Sequence, residues 1–399
     1  MNFIRKVVLQ STLLLLFLCS LNSVHAQTVP VPFPSTVPWQ KTQILTPNPS
    51  EQAFSEPSVL YENGTWRMWY RVGWSNPQGI FYATSTDALN WTKHGRVTNG
   101  YNAHVIRYNS TTLLLYAHGL VNQYSADGIH WYKFNEQHGL SPNSWLNQTD
   151  PYPNEQGTIG NSEPVKLPNG TYLMYSDARN CNEQGMNPTG QSCQASDFLW
   201  GVIEATSDDG INSWVRAPGN PILGGIVNGY AAANPNVIYQ NGVYYAFIDV
   251  TYYIGATYIV ETLATSTDGL NFTYAYVPSR PVLGIDVEKE ADPQCNQVGD
   301  AWVVVRPNGI YLFYDEDANV AGSTITHASI WLAFLPNTTL AQLAAGQFGA
   351  NTSQETTTTF SNQKTSVPEF PSTILVISLG TSSVFVTLHS LTGRRRRRN

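Results

Sequence analysis

Three acidic residues occupy matching places in a repeated sequence pattern, each at the start of an apolar run. They are Glu56, Glu163 and Asp300. Enzymes that hydrolyse glycosidic bonds use two carboxyl groups, about 6.5–9.5 Å apart for inversion and about 5–5.5 Å apart for retention. If the fold brings these side chains together, they are therefore candidate catalytic residues for that chemistry.

A purely structural interpretation of the same three residues stays open. Glu56 and Glu163 each precede a proline, and a Glu-Pro pair also suits an exposed carboxylate at the start of a strand. Asp300 follows Gly299 and could cap a turn. The burial and the partners of these side chains distinguish the two interpretations.

Two amides and a histidine stand beside these acids in the pattern. Asn102 and Asn234 begin the second and fourth repeats, and His104 follows Asn102 closely. Together with the acids they would form a ring of polar side chains, which is more than a structural ring requires. We therefore take all three as candidate substrate-binding residues, although a histidine with satisfied hydrogen bonds in the core is an alternative for His104.

Further candidates lie where the second strand of a repeat ends. Asp177 and Asp249 could bind sugar hydroxyls there, and a solvated turn is the equal alternative. Trp74 lies in a loop between strands, where an exposed aromatic face could stack on a sugar ring.

The elements that must position these residues belong to a recurring unit, first seen in residues 56–94. A short apolar run meets an Asn63-Gly64 turn, an alternating run returns, and a third run leads to a turn at Asp87. Asn-Gly between alternating apolar segments is a strong hairpin signal, because both turn residues need positive φ. The unit is therefore predicted to be a small antiparallel sheet.

The unit occurs five times, which predicts an all-β fold, a five-bladed β-propeller. The spacings between the repeats are 46, 61, 71 and 66 residues. The repeats are taken to begin at Glu56, Asn102, Glu163, Asn234 and Asp300. Acidic residues that precede Gly or Ala in the blades are predicted to be turn residues: Asp87, Asp127, Asp209 and Asp268.

The fifth repeat lacks a fourth strand. The segment from Trp39 to Leu45 resembles the fourth strands of other repeats, although it precedes the first one. We expect this N-terminal strand to close the last blade, because an open sheet edge would be a template for aggregation.

The chain is divided into four parts by composition. Residues 1–26 have the features of a secretory signal peptide, with Arg5 and Lys6 before an apolar run. Residues 27–349 form the propeller, and 350–367 form a Thr/Ser-rich stalk that cannot bury a core. In the last part, 368–399, an apolar segment at 372–391 is long enough to span a bilayer and precedes an Arg cluster. The chain is therefore expected outside the cell, anchored at the surface by a membrane-spanning C-terminal segment.

Composition narrows the class of partner. The formal net charge is -7, and the chain has 11 Trp, 22 Tyr and 15 Phe. A nucleic-acid partner is excluded because it would need a basic surface, whereas an aromatic surface of low charge suits carbohydrate.

Cys181 and Cys193 are close enough in sequence to form a disulfide in an exported protein, with Cys295 left over. No cysteine or histidine spacing predicts a metal site.

The repeat also resembles a known family. Motifs such as "NGTWRMWY" followed by "ATSTDALNW" resemble the five-bladed glycoside hydrolases of family 43 and their invertase and levanase relatives. In that family the first-blade acid is the base, a second-blade Asp tunes the pKa of the acid, and a third-blade Glu is the acid. The resemblance therefore implies that Glu163 is the acid and Glu56 the base, although the family has Asp at the latter position. The chain departs from the family pattern in the second blade, where Asn102 and His104 stand in place of the Asp that tunes the pKa of the acid.

Two further implications come with resemblance alone. Some relatives hold a water or a cation on the axis with a central histidine, for which His104 and His327 are the candidates here; no other cofactor is expected. The Pro-Glu-Phe-Pro sequence at 368–371, the apolar span and the terminal arginines resemble the C-terminal sorting signal of archaeal surface proteins. An archaeosortase would then cut near Pro368, while an ordinary tail anchor is the alternative.

Two classes of function follow from the sequence. One is a surface glycosidase that acts on a neutral or lightly charged glycan. The other is a non-catalytic propeller that binds glycan or builds the cell envelope. Asn102 distinguishes the two classes of function, because an active site that has lost its catalytic activity would lack the Asp expected at this position.

Overall fold

The computed structural model of the protein describes residues 34–48, 51, 53–73, 79–100, 102–117, 120–134, 159–178, 200–212, 214–224, 231–253, 257–286, 297–318 and 327–348. All of them lie in the first of two compact units, Met1–Gly349. The predicted signal peptide, stalk and C-terminal segment fall outside the described residues, as do the three cysteines of the mature chain. Within the described part the protein is all-β, as predicted, with one short helix.

The first two sheets each contain four antiparallel strands. The first contains β2 (Phe54–Glu62), β3 (Thr65–Val72), β4 (Gly79–Ser85) and β5 (Thr92–Thr98), numbered after an N-terminal strand β1 (Gln40–Leu45) that pairs elsewhere. The second contains β6 (His104–Arg107), β7 (Leu113–Ala117), β8 (Leu120–Ser125) and β9 (Tyr132–Lys133). Both sheets correspond to single predicted repeats.

The third sheet also corresponds to one repeat. Its strands are β10 (Ile159–Lys166), β11 (Tyr172–Ala178), β12 (Gly201–Ser207), β13 (Val215–Arg216) and β14 (Leu223–Gly224). Both of the two short strands pair with β12, one after the other along its length.

The last sheet has eight strands and consists of two antiparallel groups. The first group is β15 (Ala231–Gln240), β16 (Val243–Tyr253), β17 (Thr257–Ser266) and β18 (Thr273–Tyr276). The second is β19 (Gln297–Arg306), β20 (Gly309–Ala318), β21 (His327–Pro336) and the N-terminal strand β1. The groups join through one parallel pairing, Ile259 with Gln297. Each group therefore matches one predicted repeat.

The hairpin turns form as their sequences predict. Asn63 and Gly64 have φ of 49° and 81°, and Asn241 and Gly242 have φ of 55° and 84°. Both residues of each turn thus lie in the left-handed region that a type I′ hairpin requires. The predicted Asp turns are also confirmed: in the first sheet, Asp87 Oδ1 accepts from the backbone N–H of Asn90 at 2.8 Å. The same bond recurs at Asp127, Asp209 and Asp268.

The N-terminal strand pairs where it was expected. β1 runs antiparallel to β21, with Gln40 opposite Phe334 and Gln43 opposite Trp331. Just before β1, the Trp39 side chain is buried, and its indole Nε1–H donates to the carbonyl of Val282 at 2.7 Å. The segment is thus held by a neighbouring strand on one side and by residues before β19 on the other.

After β21 the chain forms helix α1 (Leu340–Ala344), which packs Leu340 and Leu343 into the core. Thr339 caps its N-terminus, and the Gln342 side chain accepts a hydrogen bond from the Thr339 backbone in return. In the part of the chain that the structure describes, no helix is long and apolar enough to cross a membrane.

Candidate functional site

Four of the predicted starting residues share an unusual backbone conformation. Their φ values are positive: Glu56 54°, Asn102 52°, Asn234 47° and Asp300 53°. In β2, β15 and β19 the residue sits at a β-bulge, where the pairing register shifts by one. A bulge re-aims the side chain, and strained backbone of this kind clusters at functional sites. The predicted equivalence of these four positions is supported by this shared geometry.

Glu163 does not belong to that set, which corrects the alignment of the third repeat. The bulge in β10 lies between Ile159 and Ser162 and therefore contains Gly160 and Asn161. The Asn161 side chain donates to Asn234 Oδ1, which joins it to the bulge residue of the next sheet. Glu163 therefore stands two residues further along its strand, at the level of His104 and not of Asn102.

Both carboxyl oxygens of Glu56 are engaged. The Arg71 guanidinium donates to Oε1 at 2.7 Å, and the Asn102 backbone N–H donates to Oε2 at 2.6 Å. The backbone N–H of Glu56 in turn donates to Asp315 Oδ2 at 3.3 Å. The Glu56 side chain is 7% exposed. Glu56 is thus a buried, ion-paired carboxylate, and the exposed alternative does not hold.

Glu163 lies in a different environment. Its Oε2 is 2.8 Å from His104 Nδ1, and the two side chains are 7% and 12% exposed. The Asn236 side chain, two residues after the bulge residue Asn234, is near enough to lower the pKa of this carboxyl. Burial raises the pKa of Glu163, and the hydrogen bond from His104 opposes this rise. A buried carboxyl group with a raised pKa suits a proton donor.

The geometry brings Glu56 and Glu163 close together through the second sheet. Glu56 is bound by Asn102 and Glu163 by His104, which are two residues apart in the chain. The Cα atoms of Asn102 and His104 are at most about 7.6 Å apart, because consecutive Cα atoms are about 3.8 Å apart. The two carboxyl groups therefore border the same short segment of the second sheet.

A second group of acids lies on β16, β17, β19 and β20. Asp249 accepts from Asn234 Nδ2 at 2.6 Å and from the backbone N–H of Asp300 at 3.2 Å. Burial, together with the charge of Asp249, raises the pKa of both Glu261 and Asp300 well above ordinary values. Burial and the charge of Asp300 do the same for the pKa of Asp315. Burial and the neighbouring carboxylates therefore favour the protonated form of these groups.

Asp177 and Asp249 are buried, with 4% and 1% of their surfaces exposed, so neither is a solvated turn residue. Burial, with smaller contributions from the charges of Asp249 and Glu56, raises the pKa of Asp177 to about 7. Asp300 is not a turn cap either, because it lies within β19 and its N–H is bound by Asp249. Trp74 and the side chain of His327 lie outside the described residues.

Sequence reasoning missed three residues of the site: Asn161, Asn236 and Glu261. The spacing to the hairpin turn indicates only that Glu163 is out of register. Glu56 precedes Asn63 by seven positions and Asn234 precedes Asn241 by seven, whereas Glu163 precedes Asn169 by six. Glu261 lies on the third strand of its repeat, where the sequence pattern offered no reason to expect a polar side chain in the core.

His104 Nδ1 faces a carboxyl group instead of open space. Among the residues that the structure describes, no group of three or more His, Cys, Asp or Glu side chains is arranged to hold a metal ion. In the described part of the chain, the His104 ring forms its hydrogen bond with Glu163.

Comparison with solved structures shows that the fold of this chain is a known one. The chain is similar to a glycoside hydrolase (TM-score 0.54, 18% identity, covering 74% of this chain and 91% of the other). It is also similar to the catalytic domain of a Coprinopsis cinerea GH62 alpha-L-arabinofuranosidase (TM-score 0.52, 13% identity, 76% and 98% covered). A third similar structure is the BT0996 RGII complex (TM-score 0.55, 16% identity, 74% and 91% covered). At these identities the likeness shows a shared fold, in agreement with the predicted β-propeller-like architecture.

Sequence comparison adds little to this. No family model matches the chain. A curated relative, the uncharacterized protein Rv1502 of Mycobacterium tuberculosis (strain ATCC 25618 / H37Rv), is 29% identical over 124 residues. The match spans 25% of this chain and 42% of that relative.

Proposed function

We propose that this protein is a glycoside hydrolase-like five-bladed β-propeller, in which β1 completes the last blade, and that it hydrolyses a glycosidic bond. The observation that carries the proposal is the pair Glu56 and Glu163. These buried carboxyl groups come from different sheets, are bound by residues two positions apart, and differ in environment. Two carboxyl groups with different environments are what acid and base roles require.

Each carboxyl group has a role that suits its partners. Glu163, with its raised pKa, donates a proton to the leaving oxygen. Glu56, paired with the Arg71 guanidinium, is the charged group that activates water. Asp300, whose pKa is raised well above its ordinary value by burial and by the charge of Asp249, is the third proposed catalytic residue. Asn102, Asn234, Asp177 and Asp249 hold this arrangement in place, and carbohydrate is the proposed partner.

We also propose that the protein acts outside the cell. This part rests on the sequence alone: the signal peptide at 1–26, the apolar segment at 372–391 and the arginines that follow it. On the basis of the Pro-Glu-Phe-Pro motif, we extend the proposal to sorting by an archaeosortase. Surface anchoring would keep a hydrolase near a glycan outside the cell.

A second candidate is a propeller that binds glycan without cleaving it. Asn102 favours this alternative, because its position lacks the carboxyl group that the resemblance predicts. In the structure it is the backbone N–H of Asn102, and not its side chain, that contacts Glu56. A backbone donor does not depend on residue type, so the contact is compatible with either function.

The experiment that separates the two candidates measures turnover and binding on the same preparation. Full-length wild type and the Glu163→Gln variant are tested on arabinan, xylan, fructan and mannosides. For a hydrolase, we expect turnover of one substrate class and a fall of about 10²–10⁴-fold in the variant. The matched control is Glu51→Gln, since Glu51 pairs with Lys93 away from the site. Binding without turnover, unchanged in Glu163→Gln, would favour the binding module.

A further inference from the structure

The Glu163 carboxyl group has a partner that the family pattern does not predict. His104 and Asn236 each stand two residues after a positive-φ residue, Asn102 and Asn234, and Glu163 follows the bulge formed by Gly160 and Asn161 in a third sheet. The His104 Nδ1 atom is 2.8 Å from Glu163 Oε2, and Asn236 is near enough to the same carboxyl to lower its pKa. The acid therefore has a direct hydrogen-bond partner in His104.

From this geometry we infer that His104 is a positioning residue for the acid Glu163, and that it stabilises the carboxylate as the proton leaves. The inference rests on the proposed function. It assigns to His104 the task that an Asp in the second blade would otherwise have.

The proton balance is simple. Before transfer, neutral His104 donates its Nδ1–H to Oε2, and Glu163 carries the acidic proton on Oε1. The O–H bond at Oε1 breaks as a bond forms between that proton and the glycosidic oxygen. Negative charge then develops on the carboxyl group, and the Nδ1–H···Oε2 bond becomes charge-assisted. Charge-assisted hydrogen bonds are roughly twice as strong as neutral ones, so the contact favours the transition state over the ground state.

The surroundings of His104 can fix the orientation of its ring. Glu163 on β10 is the titratable group that contacts the ring, and the Trp302 ring on β19 lies 5.4 Å from it. The ion pair of Glu56 and Arg71 borders the site through the Asn102 backbone. The carboxyl of Glu163 therefore sets which ring nitrogen of His104 carries the proton.

The test compares two substitutions of His104 in the full-length protein. His104→Leu keeps a similar volume but removes the donor, whereas the side-chain nitrogen in His104→Asn can occupy the place of Nδ1 and donate. For His104→Leu we expect kcat to fall roughly 10- to 100-fold with KM little changed, as loss of a hydrogen bond to a charged group implies. His104→Asn should recover most of the rate. The alkaline limb of the pH–rate profile should move to higher pH in His104→Leu, because the carboxylate loses a donor.

A second measurement does not need activity. Nitrogen-15 NMR of the histidine ring should show neutral His104 protonated at Nδ1 in the wild type, and this preference should be lost in Glu163→Gln. A bare Nδ1 in the wild type overturns the inference, as does a His104→Leu rate equal to that of a folded wild type. Thermal unfolding of each variant verifies folding. If the wild type carries the Nδ1 proton but turns over no substrate, the proposed function is overturned. His104 and Glu163 would then form a structural pair without a role in catalysis.

Discussion

The indole Nε1–H of Trp39 donates to the backbone carbonyl of Val282 at 2.7 Å, across 243 positions of sequence. Trp39 precedes strand β1, and Val282 precedes the strands of the last antiparallel group. Nearby, the buried Lys41 ammonium forms an ion pair with Asp286 at 3.2 Å. The N-terminal segment is therefore anchored by specific polar contacts as well as by the pairing of β1 with β21.

The first prediction concerns this anchor. Trp39→Phe removes the donor and leaves the buried Val282 carbonyl without it, which should lower the free energy of unfolding by about 1–3 kcal/mol. The matched control is Trp91→Phe, since the Trp91 indole donates to Ala88 within one partly exposed turn. Deleting residues 27–46 should cost several kcal/mol, because strand pairing and burial are lost together. Chemical denaturation measures all three, and equal stability of the deletion and the wild type would contradict the structural role of the segment.

The second prediction concerns pH and Glu204. Burial raises the pKa of this carboxyl to about 7, above its ordinary value of 4.5. Between these two pH values the folded protein keeps a proton that the unfolded chain releases, so stability falls as pH rises through this window. The loss is on the order of 3 kcal/mol by pH 8. Glu204→Gln should therefore raise the melting temperature at pH 8 relative to wild type, with a much smaller difference at pH 4.

The third prediction has the opposite sign and concerns Glu62. Hydrogen bonds from Arg107 and Arg67 lower the pKa of Glu62, and these arginines come from two sheets. Stability from this cluster is present above the ordinary pKa and is lost as pH falls through the folded one. Glu62→Gln should lower the free energy of unfolding at pH 7 by about 1–2 kcal/mol. Unfolding curves at pH 7 and pH 3 measure this, and an equal effect at both would exclude the electrostatic explanation.

The fourth prediction concerns the role of Glu163. If it protonates the leaving oxygen, substrates with a good leaving group need less help from it. The rate loss in Glu163→Gln should then be the full 10²–10⁴-fold on natural glycans and much smaller on a nitrophenyl glycoside of the same sugar. Steady-state kinetics on both substrates provide the measurement. Equal losses on the two would indicate that Glu163 binds substrate without acting as the acid.

The fifth prediction concerns location. Full-length protein should partition with membranes, with residues 27–349 accessible to protease added outside, while a chain that ends at Ser366 should be soluble. Fractionation followed by immunoblotting checks both. Recovery of the intact chain mainly in the cytosol would contradict surface anchoring.

Local signals made much of the fold predictable from the sequence. Asn63-Gly64 and Asn241-Gly242 set their hairpins because few other residues adopt the required φ, and Asp87 and its equivalents set the turns through backbone hydrogen bonds. The N-terminal strand was predictable because the last repeat lacked a partner. These features depend on residues near each other in the chain or on a count of repeats.

The site was less predictable because it depends on register. The bulge in β10 lies at Gly160 and Asn161, so Glu163 stands beyond it, although the Glu-Pro pair made Glu163 resemble Glu56. The pairing of Glu163 with His104, and of Asp249 with Glu261, arises between strands whose relative placement no local pattern records. Side-chain partners of this kind therefore required the structure.

The pairing of β1 with β21 also bears on the order in which the chain can fold. Gln43 Nε2 donates to Ser329 Oγ at 3.0 Å across 286 positions, and closing a loop of that length costs about 5 kcal/mol of chain entropy. A ribosome releases the N-terminus first, so β1 must wait without its partner until nearly all of the sheets have emerged. Such distant contacts slow folding. The earlier sheets can assemble during synthesis, but the last one cannot be finished before its final strand arrives.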